Sequence, residues 1–416
     1  MTRNPTVRIL FISHYFPPEV NAPASRTHEH CRQWVAEGHD VTVITGVPNH
    51  PAGELFGGYK NRFLQEEDVD GIRVIRTWML LTSNAGFAKR ILNFLLFALM
   101  SIIASFKVQK PDVVIATSPQ FFCGLAGTAI STIKRRPFVL EVRDLWPKSI
   151  VELDQLSEGP ALTFLQWLER RMYHSADGIV VNTRAFVEHI AGLGYPAGKI
   201  EIVYNGIDAD RFKPQPPSNS LRARFNLEGR FTVGYIGTLG LAHGLGTLLE
   251  TAELLRDQPE IAFLLIGDGA EKKKLEATIE DKKLRNVRQL GLQPRERMPD
   301  WIATTEILLV CLRDLPVFET VIPSKIFEFL AQERPVIVAA RGEIRQMADT
   351  SGVALTIDPE DPIALAEAIQ EIRQNPAAAA ERAHAGRIWV EENFVRKDLA
   401  RKMIAFVETC VESSQR

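Results

Sequence analysis

Short apolar runs alternate with stretches of helical periodicity along most of the chain. The first run, at 7–11, is followed by Pro17-Pro18 and a helical stretch to about Gly38. A β-branched run at 41–45, bounded by Gly38 and Gly46, comes next, and further apolar runs at 72–76, 113–116, 138–142 and 178–181 alternate with helical segments. Strands that are apolar on both faces, separated by helices, are the signature of a parallel sheet covered on both sides. After Asn205-Gly206 the pattern breaks at a polar, proline-rich patch from Lys213 to Asn219, then restarts with strand-like runs at 232–236, 262–266, 287–290, 307–310, 336–339 and 353–357. Two successive doubly wound α/β sheets are the economical reading, with a boundary near 195–212. The tail from Pro376 to Ser413 is helical throughout in pattern.

One segment departs from this rhythm. Residues 91–106 contain only Asn93, Ser101 and Ser105 as polar positions and are flanked by Lys89-Arg90 and Lys107. The apolar positions recur all around the predicted helix, so it must be buried in protein or in lipid. Sixteen residues fall short of the ~20 that a membrane span needs. The basic flanks favour a helix dipping into a bilayer surface, and a core helix is the competing reading.

Composition changes this picture little. The chain has 416 residues, too many for one ordinary core, and a formal charge of −2 that argues against nucleic acid as a partner. The run Lys272-Lys273-Lys274 reads as a solvated helix face. The cysteines Cys31, Cys123, Cys311 and Cys410 form no Cys-x-x-Cys pair, and the histidines form no His-Glu-x-x-His, so neither a disulfide framework nor a metal site is expected. The polar N-terminus has no signal-peptide core, which predicts a cytoplasmic protein.

The chemistry concentrates in the second half. The run Val233-Gly234-Tyr235-Ile236-Gly237-Thr238-Leu239-Gly240 leads through His243-Gly244 into a predicted helix at 245–256. A glycine-rich strand-to-helix turn lets backbone approach a diphosphate and offers it free amides. It lacks the Gly-x-Gly-x-x-Gly fingerprint, which disfavours a dinucleotide-binding dehydrogenase. A second glycine turn, Gly267-Asp268-Gly269, ends another predicted strand, where ligands of open α/β sheets bind. Asn205-Gly206-Ile207-Asp208 forms a third turn-rich patch. The fourth runs from Val321 through Pro323-Ser324-Lys325 to Glu328 and Pro335. There Ser324 is placed to cap a helix, with Lys325 and Glu328 on one face of its start. A lysine suits phosphate and a carboxylate can accept both hydroxyls of a ribose, although the two could merely pair with each other.

The order of these motifs resembles the C-terminal half of family 4 glycosyltransferases. The N-terminal half agrees: Phe16-Pro17-Pro18-Glu19 precedes a helix ending in Gly38-His39-Asp40-Val41, and Val142-Arg143-Asp144-Leu145-Trp146-Pro147 is similar to the family's His-Asp-x-x-Pro region. Arg143-Asp144-Leu145-Trp146-Pro147, Asn49-His50-Pro51 and Pro323-Ser324-Lys325 further resemble the bacterial branch that builds O-antigen and capsule repeats, including N-acetyl-L-fucosamine transferases. The resemblance implies the GT-B fold, with an acceptor-side Rossmann-like domain (1–200), a nucleotide-sugar domain (201–385) and C-terminal helices returning to the first domain (386–416). It implies a retaining, metal-free hexosyltransferase without a cofactor, moving a sugar from a UDP-sugar to a lipid-linked or polysaccharide-precursor acceptor at the inner membrane face, with peripheral contact through 91–106. The implied donor site comprises Gly237, Thr238, Gly240, His243, Asp268, Asn205, Ser324, Lys325 and Glu328, and the acceptor side Glu19, Asn21 and Arg26.

Several positions depart from the family pattern. Thr320 stands where the first member of a glutamate pair is usual, Thr238 and His243 where an arginine and a lysine grip the diphosphate, and Asn21-Ala22 where two glycines are usual. Arg143 replaces a histidine. Arg143 and Lys325 are therefore the expected cations for the leaving group, with Asp144 as the third catalytic candidate. The other readings are a sugar-nucleotide 2-epimerase and a catalytically silent binding subunit.

Overall fold

The computed structural model describes residues 6–50, 53–81, 87–118, 120–152 and 159–415. Pro51 and the first five residues of the N-terminal stretch lie outside the described residues. The chain forms two compact units, one comprising residues 1–205 with 396–416 and the other Gly206–Val395.

The first unit is built on strands β1 (Arg8–Ile12), β2 (Asp40–Gly46), β3 (Leu64–Val69), β4 (Ile72–Thr77), β5 (Val113–Thr117), β6 (Phe138–Val142), β7 (Gly178–Val181) and β8 (Ile200–Ile202). They lie in the order β3-β4-β2-β1-β5-β6-β7-β8, parallel except for the β3–β4 hairpin. Two strands escaped the periodicity reading. β3, Leu64-Gln-Glu-Glu-Asp-Val69, carries no apolar alternation because it is a half-solvated edge strand. Its hairpin turn uses Asp70 and Gly71 at φ 55° and 80°, and an Asp-Gly pair flanked by strand-like residues is a hairpin signal that the sequence did carry. β8 has only three residues.

Helix Arg396–Gln415 closes the first unit against helix Ala22–Ala36. Its Leu399, Ala400, Met403, Ile404 and Val407 join Cys31, Trp34, Val41 and Val43 in one core. Trp34 Nε1 donates to Ala400 O at 2.9 Å, and Arg396 pairs with Glu29 at 2.7 Å. The returning segment begins at Arg396 and not at 386, because helix Pro376–Asn393 packs on helices Lys325–Ala331 and Pro362–Gln374 of the second unit.

Helix Phe87–Ser105 packs on helix Phe121–Lys134 and on β2 and β4. The expectation of apolar surface buried all around is corrected here. Asn93, Ser101 and Ser105 face inward, where the two serine hydroxyls donate to Phe97 O and Ile102 O of their own helix. Leu92, Leu95, Leu99 and Ile103 are exposed, Leu99 by 54%. Among the described residues no helix is long and apolar enough to cross a membrane.

The second unit holds β9 (Phe231–Ile236), β10 (Ile261–Ile266), β11 (Val287–Gly291), β12 (Ile307–Cys311), β13 (Val336–Ala339) and β14 (Leu355–Ile357), all parallel, in the order β11-β10-β9-β12-β13-β14. The central strands are fully buried, as their unbroken apolar runs require. Two glycines set how the loops at their C-terminal ends meet. A Cβ on Gly267 would lie 1.8 Å from Gly237 O, and one on Gly269 would lie 2.4 Å from Leu239 O. The crossing backbones are tied by Gly237 N to Ile266 O and Leu239 N to Asp268 O, both at 2.9 Å. Gly240 is different, since its backbone is extended and a Cβ there would meet nothing nearer than 3.4 Å. Gly267→Ala should therefore lower unfolding free energy by about 3 kcal/mol or more, and Gly240→Ala by about 1 or less. Equal losses in chemical denaturation would contradict this assignment.

Candidate active site

In the second sheet the chain leaves β9 toward β10 on one side and later returns to β12 on the other. Ligands of open α/β sheets bind at such a switch point, outside the carboxyl ends of the strands. The glycine turn after β9 lies there, fastened on one flank by Glu271 N donating to Leu239 O and on the other by Arg313 N donating to Ala242 O, each at 2.9 Å.

Beneath this turn sits the Lys325 ammonium. Its Nζ lies 3.8 Å from the centre of the Tyr235 ring and has no hydrogen-bond acceptor, although the atom is shielded from solvent. A Cβ on Gly237 would come within 2.6 Å of it, so a side chain there would displace the amine. Burial pulls the amine down to about 8, against the opposing pull of Cys311 and Glu328. The same burial pushes the Cys311 thiol up to about 12 and raises the Tyr235 phenol, whose hydroxyl donates to Thr238 O at 2.7 Å.

Without a ligand, His243 is uncharged. Burial and the Lys325 charge lower it to about 4, and its Nδ1 lies 3.2 Å from Cys311 O, a carbonyl that can only accept. The ring is thus a neutral Nδ1–H tautomer at physiological pH. Thr238 and Asp268 are exposed at the same edge, and the Asp268 carboxylate accepts from Gly269 N at 2.8 Å. Ser324 holds the N-cap position of helix Lys325–Ala331 but, contrary to expectation, makes no side-chain cap bond. Lys325 and Glu328 occupy the first turn of that helix, and Glu328 is half-buried. Gly237, Thr238, Gly240, His243, Asp268, Lys325 and Glu328 all belong to this second unit.

Asn205 falls in the first unit, with its Oδ1 3.5 Å from Arg26 Nη1. Arg26, expected on the acceptor side, is a buried strut: Nε donates to Glu141 at 2.8 Å, Nη1 to Tyr204 O at 2.8 Å and Nη2 to Val203 O at 2.9 Å. Asn21 caps helix Ala22–Ala36, accepting from Ala24 N at 2.9 Å. Glu19 is buried and accepts from the amides of Asn49 and His50 at 3.0 and 2.9 Å, while burial raises its carboxyl above the usual range. Asp144 is likewise raised by burial and is engaged by the Ser149 hydroxyl and the Leu145 amide.

The periodicity reading missed Glu141. A carboxylate inside the apolar strand Phe138-Val-Leu-Glu-Val142 was the visible signal. Burial opposes its ionisation, yet Arg26 and Arg143 hold it down at about 2. His14, at the end of β1, was also missed. It is buried, pushed down to about 3 by desolvation, and packs edge-on against Phe94 and Phe97 of helix Phe87–Ser105 at 5.2 and 4.7 Å. Among the described residues no group of three or more His, Cys, Asp or Glu could hold a metal ion.

Residues 21–206 match the glycosyl transferase 4-like domain and residues 230–375 match the glycosyl transferases group 1 domain. The putative colanic acid biosynthesis glycosyl transferase WcaI of Escherichia coli is 26% identical over 407 residues, covering 94% of this chain and 98% of that protein. Among solved structures, HepE of Anabaena in complex with UDP and glucose superposes with a TM-score of 0.69 at 17% identity, covering 97% of this chain and 99% of that one. Sucrose-phosphate synthase of Thermosynechococcus elongatus gives 0.77 at 18% identity, with 97% and 99% covered. These two likenesses speak for the fold. Together with the domain matches they establish two Rossmann-like units in the GT-B arrangement, and the chain belongs to the family 4 glycosyltransferases, enzymes that transfer sugars in glycan biosynthesis.

Proposed function

We propose that the enzyme transfers a sugar, with retention of anomeric configuration, from a UDP-sugar to a lipid-linked or polysaccharide-precursor acceptor of a cell-surface glycan. The observation that carries the donor half is the buried Lys325 ammonium without an acceptor, set under a glycine turn at the sheet's switch point. An anion with several acceptor oxygens, such as a diphosphate, fits that amine and the backbone above it. Glu328, on the same helical turn, is assigned to the ribose hydroxyls, and Gly237, Thr238 and Gly240 to the diphosphate. In the transfer, the bond from the sugar's anomeric carbon to the diphosphate breaks and one to the acceptor oxygen forms. The acceptor's proton passes to the leaving diphosphate, whose charge Lys325 offsets without a metal ion. HepE, whose structure was solved with UDP and glucose, and WcaI, a transferase of colanic acid assembly, support this direction. Nothing among these relatives favours a 2-epimerase.

The acceptor half rests on helix Phe87–Ser105. Its stripe of Leu92, Leu95, Leu99 and Ile103, extended by Phe106 at 64% exposure, is open to solvent. Lys89 is exposed at one end and Lys110 and Arg135 are exposed beyond the other. Lys107, expected at the headgroups, instead pairs with Glu66 at 2.9 Å. An apolar stripe with basic ends suits an anionic bilayer surface, and it would hold the enzyme on the inner membrane face beside a lipid-borne acceptor.

Two outcomes test this reading. Lys325→Met should weaken UDP binding by about 2 kcal/mol or more, roughly thirtyfold, in calorimetry. The same change should leave the unliganded protein equally or more stable, because it removes a desolvated charge. Unchanged affinity would remove Lys325 from the donor seat. Replacing Leu92, Leu95 and Leu99 together by Ser should cut flotation with anionic liposomes by about tenfold or more with an unaltered melting temperature. Wild-type protein that stays in the soluble fraction would refute the membrane contact.

A further inference from the structure

Arg143, in the first unit, is a second cation with buried N–H groups that no acceptor meets. It follows β6, and its backbone amide donates to the Ser118 hydroxyl after β5 at 2.7 Å, while Ser118 N donates to Glu141 O at 2.9 Å. The loops after the two strands are thereby laced together at the carboxyl edge of the sheet, beside the point where the order reverses from β1 to β5. Its guanidinium Nε and Nη1 are shielded from solvent and have no hydrogen-bond partner.

The neighbouring carboxylates are bonded to other groups. Among the described residues, the Arg26 and Arg396 charges act against Arg143 and Glu141 acts with it. Glu141 is already bonded to Arg26 at 2.8 Å, and Glu29 to Arg396 at 2.7 Å. His30 adds no charge, since burial holds it well below its ordinary range, and its Nδ1 lies 3.3 Å from Met403 Sδ. The Asp144 carboxylate is engaged by Ser149 and Leu145. Arg143 is thus left with buried N–H groups that have no acceptor. A guanidinium presents a planar fork that matches carboxylate and phosphate oxygens, and leaving it desolvated and unpaired is costly.

We propose that Arg143 is a specificity residue that receives an anionic group, a phosphate or a carboxylate, borne by the transferred sugar or by the acceptor and not by the nucleotide. The proposal rests on the reading of this chain as a UDP-sugar transferase and divides the labour between Lys325 and Arg143. Lys325 serves the nucleotide diphosphate, and Arg143 reads a second anion. A substrate with a neutral group at that position leaves the guanidinium unanswered and is discriminated against.

The test is calorimetry on the full chain with two pairs of probes. UDP-glucuronate against UDP-glucose differs only by the sugar carboxylate. Geranyl diphosphate against geraniol, with the nucleotide site filled by UDP, isolates an acceptor-borne phosphate. Wild-type protein should prefer the anionic member of one pair by about tenfold or more. Arg143→Gln should abolish that preference while leaving UDP affinity unchanged, and Arg143→Lys, which keeps the charge without the fork, should retain part of it. The pair that responds identifies the bearer of the anion. The proposal is overturned if the wild type favours neither anionic probe, if Arg143→Gln keeps the preference, or if UDP binding weakens in parallel. Failure of the donor assignment is separate, because it would show as UDP binding insensitive to Lys325→Met.

Discussion

A lysine ammonium held out of water with no acceptor is the constraint around which the second unit is organised. Such a group is costly in the unliganded protein, and the surrounding chain gives it no hydrogen-bond acceptor. Tyr235 offers a ring face, Cys311 stays a protonated thiol, and Glu328 is three residues along the same short helix. The glycines make the arrangement possible. Gly237 leaves space for the amine, and Gly267 and Gly269 let the loops after β9 and β10 cross at backbone contact. The seat is preorganised for an anion, which is the condition under which electrostatic stabilisation of a leaving group is most effective.

The first unit handles charge differently. Arg26 and Glu141 form a saturated pair that joins helix Ala22–Ala36 to the ends of β6 and β8, and helix Arg396–Gln415 packs over the same helix. Charge there is mostly structural, and Arg143 is the exception. The apolar economy is also inverted at one place, because helix Phe87–Ser105 keeps Asn93, Ser101 and Ser105 inside and shows leucines outside. Serines satisfied by their own helix cost little when buried, which frees the opposite face for a nonprotein surface.

Much of this was legible in the chain. The buried parallel strands announce themselves as unbroken apolar runs, and every run expected in the second half is a strand, with ends shifted by a residue or two. The half-solvated hairpin strand Leu64–Val69 was not legible by periodicity, since an edge strand has no fully buried face. Site residues divided along the same line. Lys325 was found by its helix-start position. The partner state of a residue is a tertiary property, so the sequence could not tell that Arg26 is a strut, that Asn21 serves as a helix cap, or that His243 is held neutral. Gly240 belongs to the expected glycine turn, but the crossing that forbids a side chain lies at Gly267 and Gly269.

The central claim is that the Lys325 ammonium is the cation of the donor seat, and titration of its Nζ by nitrogen-detected NMR tests it directly. Without ligand the amine should titrate near 8. An anion in contact favours the charged form, so with saturating UDP the titration should move up by about two units or more. It follows that UDP affinity is steady below that pH and declines as pH rises above it, by up to tenfold per unit for a single linked proton. An amine that titrates at the same pH with and without bound UDP would contradict the account.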